Sequence, residues 1–165
     1  TLVLDEAALT AAGVPITQVR PSRLSMAGGT LSFDDVVFSA GTPVVIGGTV
    51  AFGEVTALDV TLRGIPDLRP LSVLSPGMAL DGAARMDLRI TGTPVAPLVD
   101  GRVDLDAAEV AMRDPRVIAS EIAGPIIFSG DRVTLGGLTG SLNGGDFEAT
   151  GTAREASRTC TTGAE

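Results

Sequence analysis

Alternation of apolar and polar residues constrains this chain more than any other feature. In residues 82–92, GAARMDLRITG, Ala84, Met86, Leu88 and Ile90 alternate with Arg85, Asp87, Arg89 and Thr91 between two glycines. Successive side chains of a strand point to opposite sides, so this pattern describes a strand with one apolar and one polar face. It recurs along the chain: Leu31 and Phe33 in GTLSFDDVVF, Val50 and Phe52 in GTVAFG, and Leu58, Val60 and Leu62 in ALDVTLRG. Val103 and Leu105 follow in GRVDLD, then Ile126, Phe128, Val133 and Leu135 in GPIIFSGDRVTLGG, and Phe147 in GGDFEATG. Glycine-bounded strands roughly every ten to fifteen residues predict an all-β, mostly antiparallel fold. The Asp34-Asp35 pair interrupts its strand in the manner of a β-bulge.

Two segments depart from this period. In PDLRPLSVLSPG, Leu68, Leu71 and Leu74 stand three apart, behind Asp67 as N-cap and before Pro76-Gly77; the spacing predicts a two-turn helix from Asp67 to Ser75. The opening DEAALTAAG reads as a helical turn. Residues 31–53 and 133–151 share an order of strand, loop, Gly-Gly pair, strand and glycine, which suggests a sheet that adds strands along one axis. Residues 1–153 therefore read as a single segment, and the small, polar residues 154–165 as a disordered tail. The chain opens in mid-pattern without Met or a leader, which reads as a piece of a longer protein.

Composition excludes several chemistries. All twelve basic residues are Arg, and His, Lys, Trp and Tyr are absent. The usual general base, the Ser-His-Asp relay and Schiff-base chemistry go with them, so no enzymatic activity, cofactor or metal is expected. A net charge of −8 argues against a nucleic-acid partner. The single Cys160 forms no internal disulfide. Asp100, Asp104, Asp106 and Glu109 suggest calcium, but their alternation with Val103 and Leu105 places them on the wet face of a strand. No apolar run is long enough to span a bilayer as a helix. The apolar stripes fit two sheets meeting in a sandwich. Against this stand the scarcity of aromatic residues and the dominance of smooth aliphatic ones, which would line a groove without plugging it.

Three stretches then carry a resemblance. VRPSRLSMAGGTLSFDDVVFSAGTPVVIGGTV, LDVTLRGIPDLRPLSVLSPGMALDGAARMDLRITGTPVAPLVDGRVDL and DPRVIASEIAGPIIFSGDRVTLGGLTGSLNGGDFEATG resemble the TamB family of the translocation and assembly module, in the AsmA-like group. The more specific parts are ITGTPVAPLVDGRVDL and GSLNGGDFEATG. The resemblance implies an elongated, curved sheet forming an open trough (a β-taco), here with one short helix. It also implies a periplasmic segment of an inner-membrane-anchored envelope protein, phospholipid acyl chains in an aliphatic groove, and an outer-membrane β-barrel partner of the TamA type. The groove would be lined by Leu31, Phe33, Val50, Phe52, Leu58, Val60, Leu62, Met86, Leu88, Ile90, Val103, Leu105, Ile126, Phe128, Val133, Leu135 and Phe147, with the helix as a lid or a stabilising cover. The competing expectations are an assembly module that templates client strands at a sheet edge, and an adhesin-like sandwich or β-helix of a secreted protein, with a dry closed core. Cut sheet edges also lead us to expect self-association.

Overall fold

Alternation over so many segments leaves each strand with one face to cover, and the chain pairs them side by side. The computed structural model describes residues 2–11, 13–40, 42–74 and 77–154. Twelve strands form: β1 Leu2–Leu4, β2 Ala8–Ala11, β3 Val14–Gln18, β4 Ser22–Ala27, β5 Thr30–Ala40, β6 Thr42–Ala51, β7 Ala57–Gly64, β8 Met78–Gly92, β9 Pro97–Met112, β10 Val117–Gly130, β11 Arg132–Leu142 and β12 Gly145–Arg154. They make one elongated, open, antiparallel sheet, in which β4 to β12 pair in chain order. At the first end β1 lies outside β4, while β3 pairs with β5 beyond the end of β4 and carries β2 on its far side.

The described strands form one sheet, with no second sheet packed upon it among the described residues. Nine apolar residues are buried among those described, and no large side chain is fully buried. A closed sandwich of this length would enclose more.

The expected short helix is not present. The described residues contain no α-helix; residues Arg69–Leu74 form only a 3-10 stretch. Pro70 has no N–H to give to a helix, and three-residue hydrogen-bonding suits a segment of this length. Asp67 does cap it, its Oδ1 accepting the Arg69 N–H at 2.8 Å. The segment is held as an extension of the sheet instead. Asp67 bridges Ala83, Leu68 N donates to Gly82 O at 2.9 Å, and Leu80 N donates to Ser72 Oγ at 2.8 Å. Leu68 covers Ala84, which is wholly buried; the side chains of Leu71 and Leu74 lie outside the described residues. DEAALTAAG is likewise no helical turn, since Ala8–Ala11 is strand β2. Residues 155–165, with Cys160, lie outside the described residues.

The bulge at Asp34-Asp35 is present. Register shifts between Phe33 and Val36, and Asp35 takes a φ of 44°. A longer line of irregularities crosses β8 to β12, with register shifts at Asp81/Ala83, Ala119/Ile122/Gly124, Ser120/Ala123/Ile126 and Gly136/Leu138. Bulges bend a strand and sharpen its twist. The buried residues Ala84, Ala108, Ile122 and Leu138 follow this crease on one face, while Asp81, Asp106 and Glu121 are exposed on the other.

Glycines bound some strands as the sequence leads one to expect (Gly64 ends β7, Gly92 β8 and Gly130 β10, and Gly145 opens β12), but others lie within strands. β6 runs through Gly47 and Gly48, β8 through Gly82, and β9 through Gly101. At Gly101, with φ 132°, a Cβ would meet Asp87 O at 2.1 Å and Leu88 Cα at 2.9 Å. Only glycine lets the neighbouring strand approach so closely there.

Candidate functional site

Residues opposite one another in a sheet share a face, so the register converts the stripes into rows. One row runs Leu31, Val50, Leu58; a second Phe33, Gly48, Val60, Ile90, Val99. A third runs Val36, Ile46, Leu62, Leu88, Gly101, Phe128, Val133, and a fourth Phe38, Val44, Gly64, Met86, Val103, Ile126, Leu135. Leu105 sits beside Ala84 on the same face, and Phe147 packs on the buried cluster of Leu68, Ala84, Val103, Ala108 and Ile122. Of the candidate groove residues, sixteen thus share one face. Phe52 is apart from them: it lies just past β6, half exposed, its amide donating to Gly29 O at 2.7 Å.

This face carries no Asp, Glu or Arg among the described strand residues from β3 to β12. The charges stand on the opposite face. Arg63 Nε donates to Asp87 Oδ1 at 3.1 Å, Arg89 takes Asp59 in a two-pronged grip, and Arg102 holds Asp104 two residues along its own strand. Hydrogen bonds from Arg89 and Arg102 hold the carboxyls of Asp59 and Asp104 below the ordinary value, and Arg69 does the same for Asp67. Asp100 accepts the Gly130 N–H at 3.0 Å, and Asp106 and Glu109 are exposed. No group of three or more His, Cys, Asp or Glu among the described residues is placed to hold a metal.

The apolar face narrows to an open groove of about 370 Å³ over β5 to β8. Its floor is Phe38, Val44, Ile46, Leu62 and Met86; Leu9 and Ile16 of the β2–β3 hairpin stand on one side, Pro66, Asp67 and Pro70 on the other. Of these, only Leu62 and Met86 were singled out by alternation. The runs DDVVF and PVVIGG are apolar on both faces, which hides their period. The hairpin had a signal, since Gly13 separates two short apolar runs, but the Ala-rich opening obscured it.

At the root of that hairpin Gln18 ties three segments together. Its Nε2 donates to Leu4 O at 3.0 Å, Arg20 O at 2.7 Å and the buried Ser22 Oγ at 3.1 Å. Its Oε1 is buried without a partner.

Compared with protein-family models, curated proteins and solved structures, the chain matches none. The architecture stands on its own geometry: an elongated, open antiparallel sheet, consistent with an AsmA/TamB-like design. Among the described residues no helix is long and apolar enough to cross a membrane.

Proposed function

We propose that this chain is a segment of a TamB-like envelope protein of the periplasm, and that its apolar face carries phospholipid acyl chains between the inner and outer membranes. One observation supports this reading above the others: an apolar, mostly aliphatic face that carries no Asp, Glu or Arg among the described strand residues from β3 to β12. A charge on that face would have to lose its water beside a hydrocarbon tail. Burial of one methylene is worth about 0.8 kcal/mol, so a chain of roughly sixteen carbons gains on the order of 10 kcal/mol over water, before ordering costs. Passing from one aliphatic row to the next changes that energy little. A face of repeated rows therefore suits a conduit, which needs no catalytic residue. In the longer protein an outer-membrane β-barrel of the TamA type is the partner.

The test is organic extraction of the detergent-free protein followed by mass spectrometry. The expected result is stoichiometric phospholipid, lost in a folded Leu88→Glu variant. A lipid-free extract from folded wild-type protein overturns the conduit.

A second reading draws on β12, the last strand of the sheet among the described residues. An edge strand offers unpaired N–H and C=O groups to a client strand. Strand binding that survives Leu88→Glu, in a protein without lipid, selects this templating role.

A further inference from the structure

We infer that the β2–β3 hairpin is a lateral gate, closing against residues 65–74 along a seam that, among the described residues, no hydrogen bond holds. Following neighbours around the groove shows how the seam arises. The path from β2 runs through β3, β5, β6, β7 and β8 by backbone pairing. From β8 it continues to residues 65–74 through the Asp67–Ala83 bridge. β2 then lies beside the 3-10 stretch Arg69–Leu74, so the path returns to its start. Among the described residues, no backbone or side-chain hydrogen bond joins these last two segments.

The composition of the seam explains the missing bonds. Leu9 and Ile16 face Pro66 and Pro70 around the groove, and a proline has no N–H to offer a strand. Among the described residues, opening the seam breaks no hydrogen bond between the two segments.

The two sides are held very differently. Residues 65–74 are sewn to β8 through Leu68 N to Gly82 O, Ala84 N to Pro66 O and Leu80 N to Ser72 Oγ. Arg69 and Asp67 are joined by an ion pair besides. The hairpin meets the sheet at Thr17–Ser39 and Gln18–Phe38, with Val19 N donating to Val37 O at 2.8 Å just past it, whereas β7 meets β8 at seven paired positions from Leu58–Gly92 to Gly64–Met86. Gln18, with its three bonds, stands at that attachment. The fixed jaw is therefore residues 65–74, the moving jaw is the hairpin, and the pivot is Gln18. Segments with few anchoring bonds open at lower free energy than the core around them. Use of this gate to admit an acyl chain rests on the conduit reading, whereas the seam itself does not.

The test needs no lipid. In a Cys160→Ser background, Ile46→Cys places a single thiol on the groove floor, and its reaction with a polymer-linked maleimide reports opening. Adding Leu9→Glu hydrates the moving jaw and should speed that reaction about tenfold, through a shift of the open population. Hydrogen exchange of β8 and β9 should stay unchanged. Hydrogen exchange of the unaltered protein supplies an independent check. Residues 8–18 should exchange roughly a hundredfold faster than β8 and β9, as a separate opening unit. An unchanged labelling rate in folded Leu9→Glu protein overturns the gate. So does a hairpin as well protected as β8 and β9.

Discussion

Arg89 on β8 grips Asp59 on β7 through Nε to Oδ1 and Nη2 to Oδ2, both at 2.8 Å. The two lie on a diagonal, since Asp59 is opposite Thr91 and Arg89 opposite Thr61. Further along the same pair of strands the order of charge reverses, with Arg63 on β7 opposite Asp87 on β8. A slip of one residue would turn these charges toward the apolar face. The ion pairs thus specify register on the outside while the aliphatic rows require it on the inside.

Acid should weaken this arrangement. The carboxyls of Asp59, Asp104 and Asp67 are held below the ordinary value by hydrogen bonds from Arg89, Arg102 and Arg69. Their folded pKa values lie below the unfolded one, so the stabilisation is fully present above pH ~4 and is lost as pH falls through the folded values. Carboxyl NMR titration should find all three below the ordinary aspartate value, while the melting temperature falls over the same window. Titration of Asp59 at or above the ordinary value would refute the grip in solution.

Two glycines on the apolar face should respond oppositely to alanine. Gly101→Ala places a Cβ 2.1 Å from Asp87 O in a backbone that only glycine favours, and should destabilise by at least ~2 kcal/mol. Gly151, opposite Leu135, has nothing within 4 Å of the position a Cβ would take, and its alanine variant should stay within about 0.5 kcal/mol. Urea unfolding of the two variants decides it; equal costs would mean that the close approach at Gly101 is not real.

Ala84 has no room to grow. It is wholly buried beneath Leu68, and Ala84→Leu should cost about 1–3 kcal/mol by overpacking. The same substitution at exposed Ala79 should be nearly neutral. If both are neutral by thermal unfolding, residues 65–74 do not cover the sheet.

Gln18→Ala removes the donor shared by Leu4 O, Arg20 O and Ser22 Oγ. Loss of such bonds costs about 1 kcal/mol, felt locally in this case. Hydrogen exchange should accelerate across residues 8–18 and remain unchanged in β9. A uniform change across the chain would show that Gln18 serves global stability and not the hairpin.

The strand content and the division into faces were legible because side-chain direction repeats every two residues wherever the backbone is extended. Met86, Leu88 and Ile90 could be set against Arg85, Asp87 and Arg89 without coordinates, and the doubled Asp34-Asp35 marked its own bulge. Reading failed where that period is masked. Val36 to Phe38 and Val44 to Ile46 are apolar on both faces, so nothing local distinguishes the groove floor. Leu68, Leu71 and Leu74 have a helical spacing, but hydrogen bonds to β8 outcompete the helix that Pro70 already weakens.

Alternation within each strand determined the class of fold and which residues share a face, because both follow from local backbone geometry. Tertiary structure decided what no local pattern encodes. Pairing across strands made Gly48 and Gly101 points of close approach instead of boundaries, and aligned the bulges of β8 to β12 into one crease. It also brought Leu9 and Ile16 around to Pro66 and Pro70, some fifty residues away. Such contacts depend on which edges meet in space, and that choice belongs to the whole sheet.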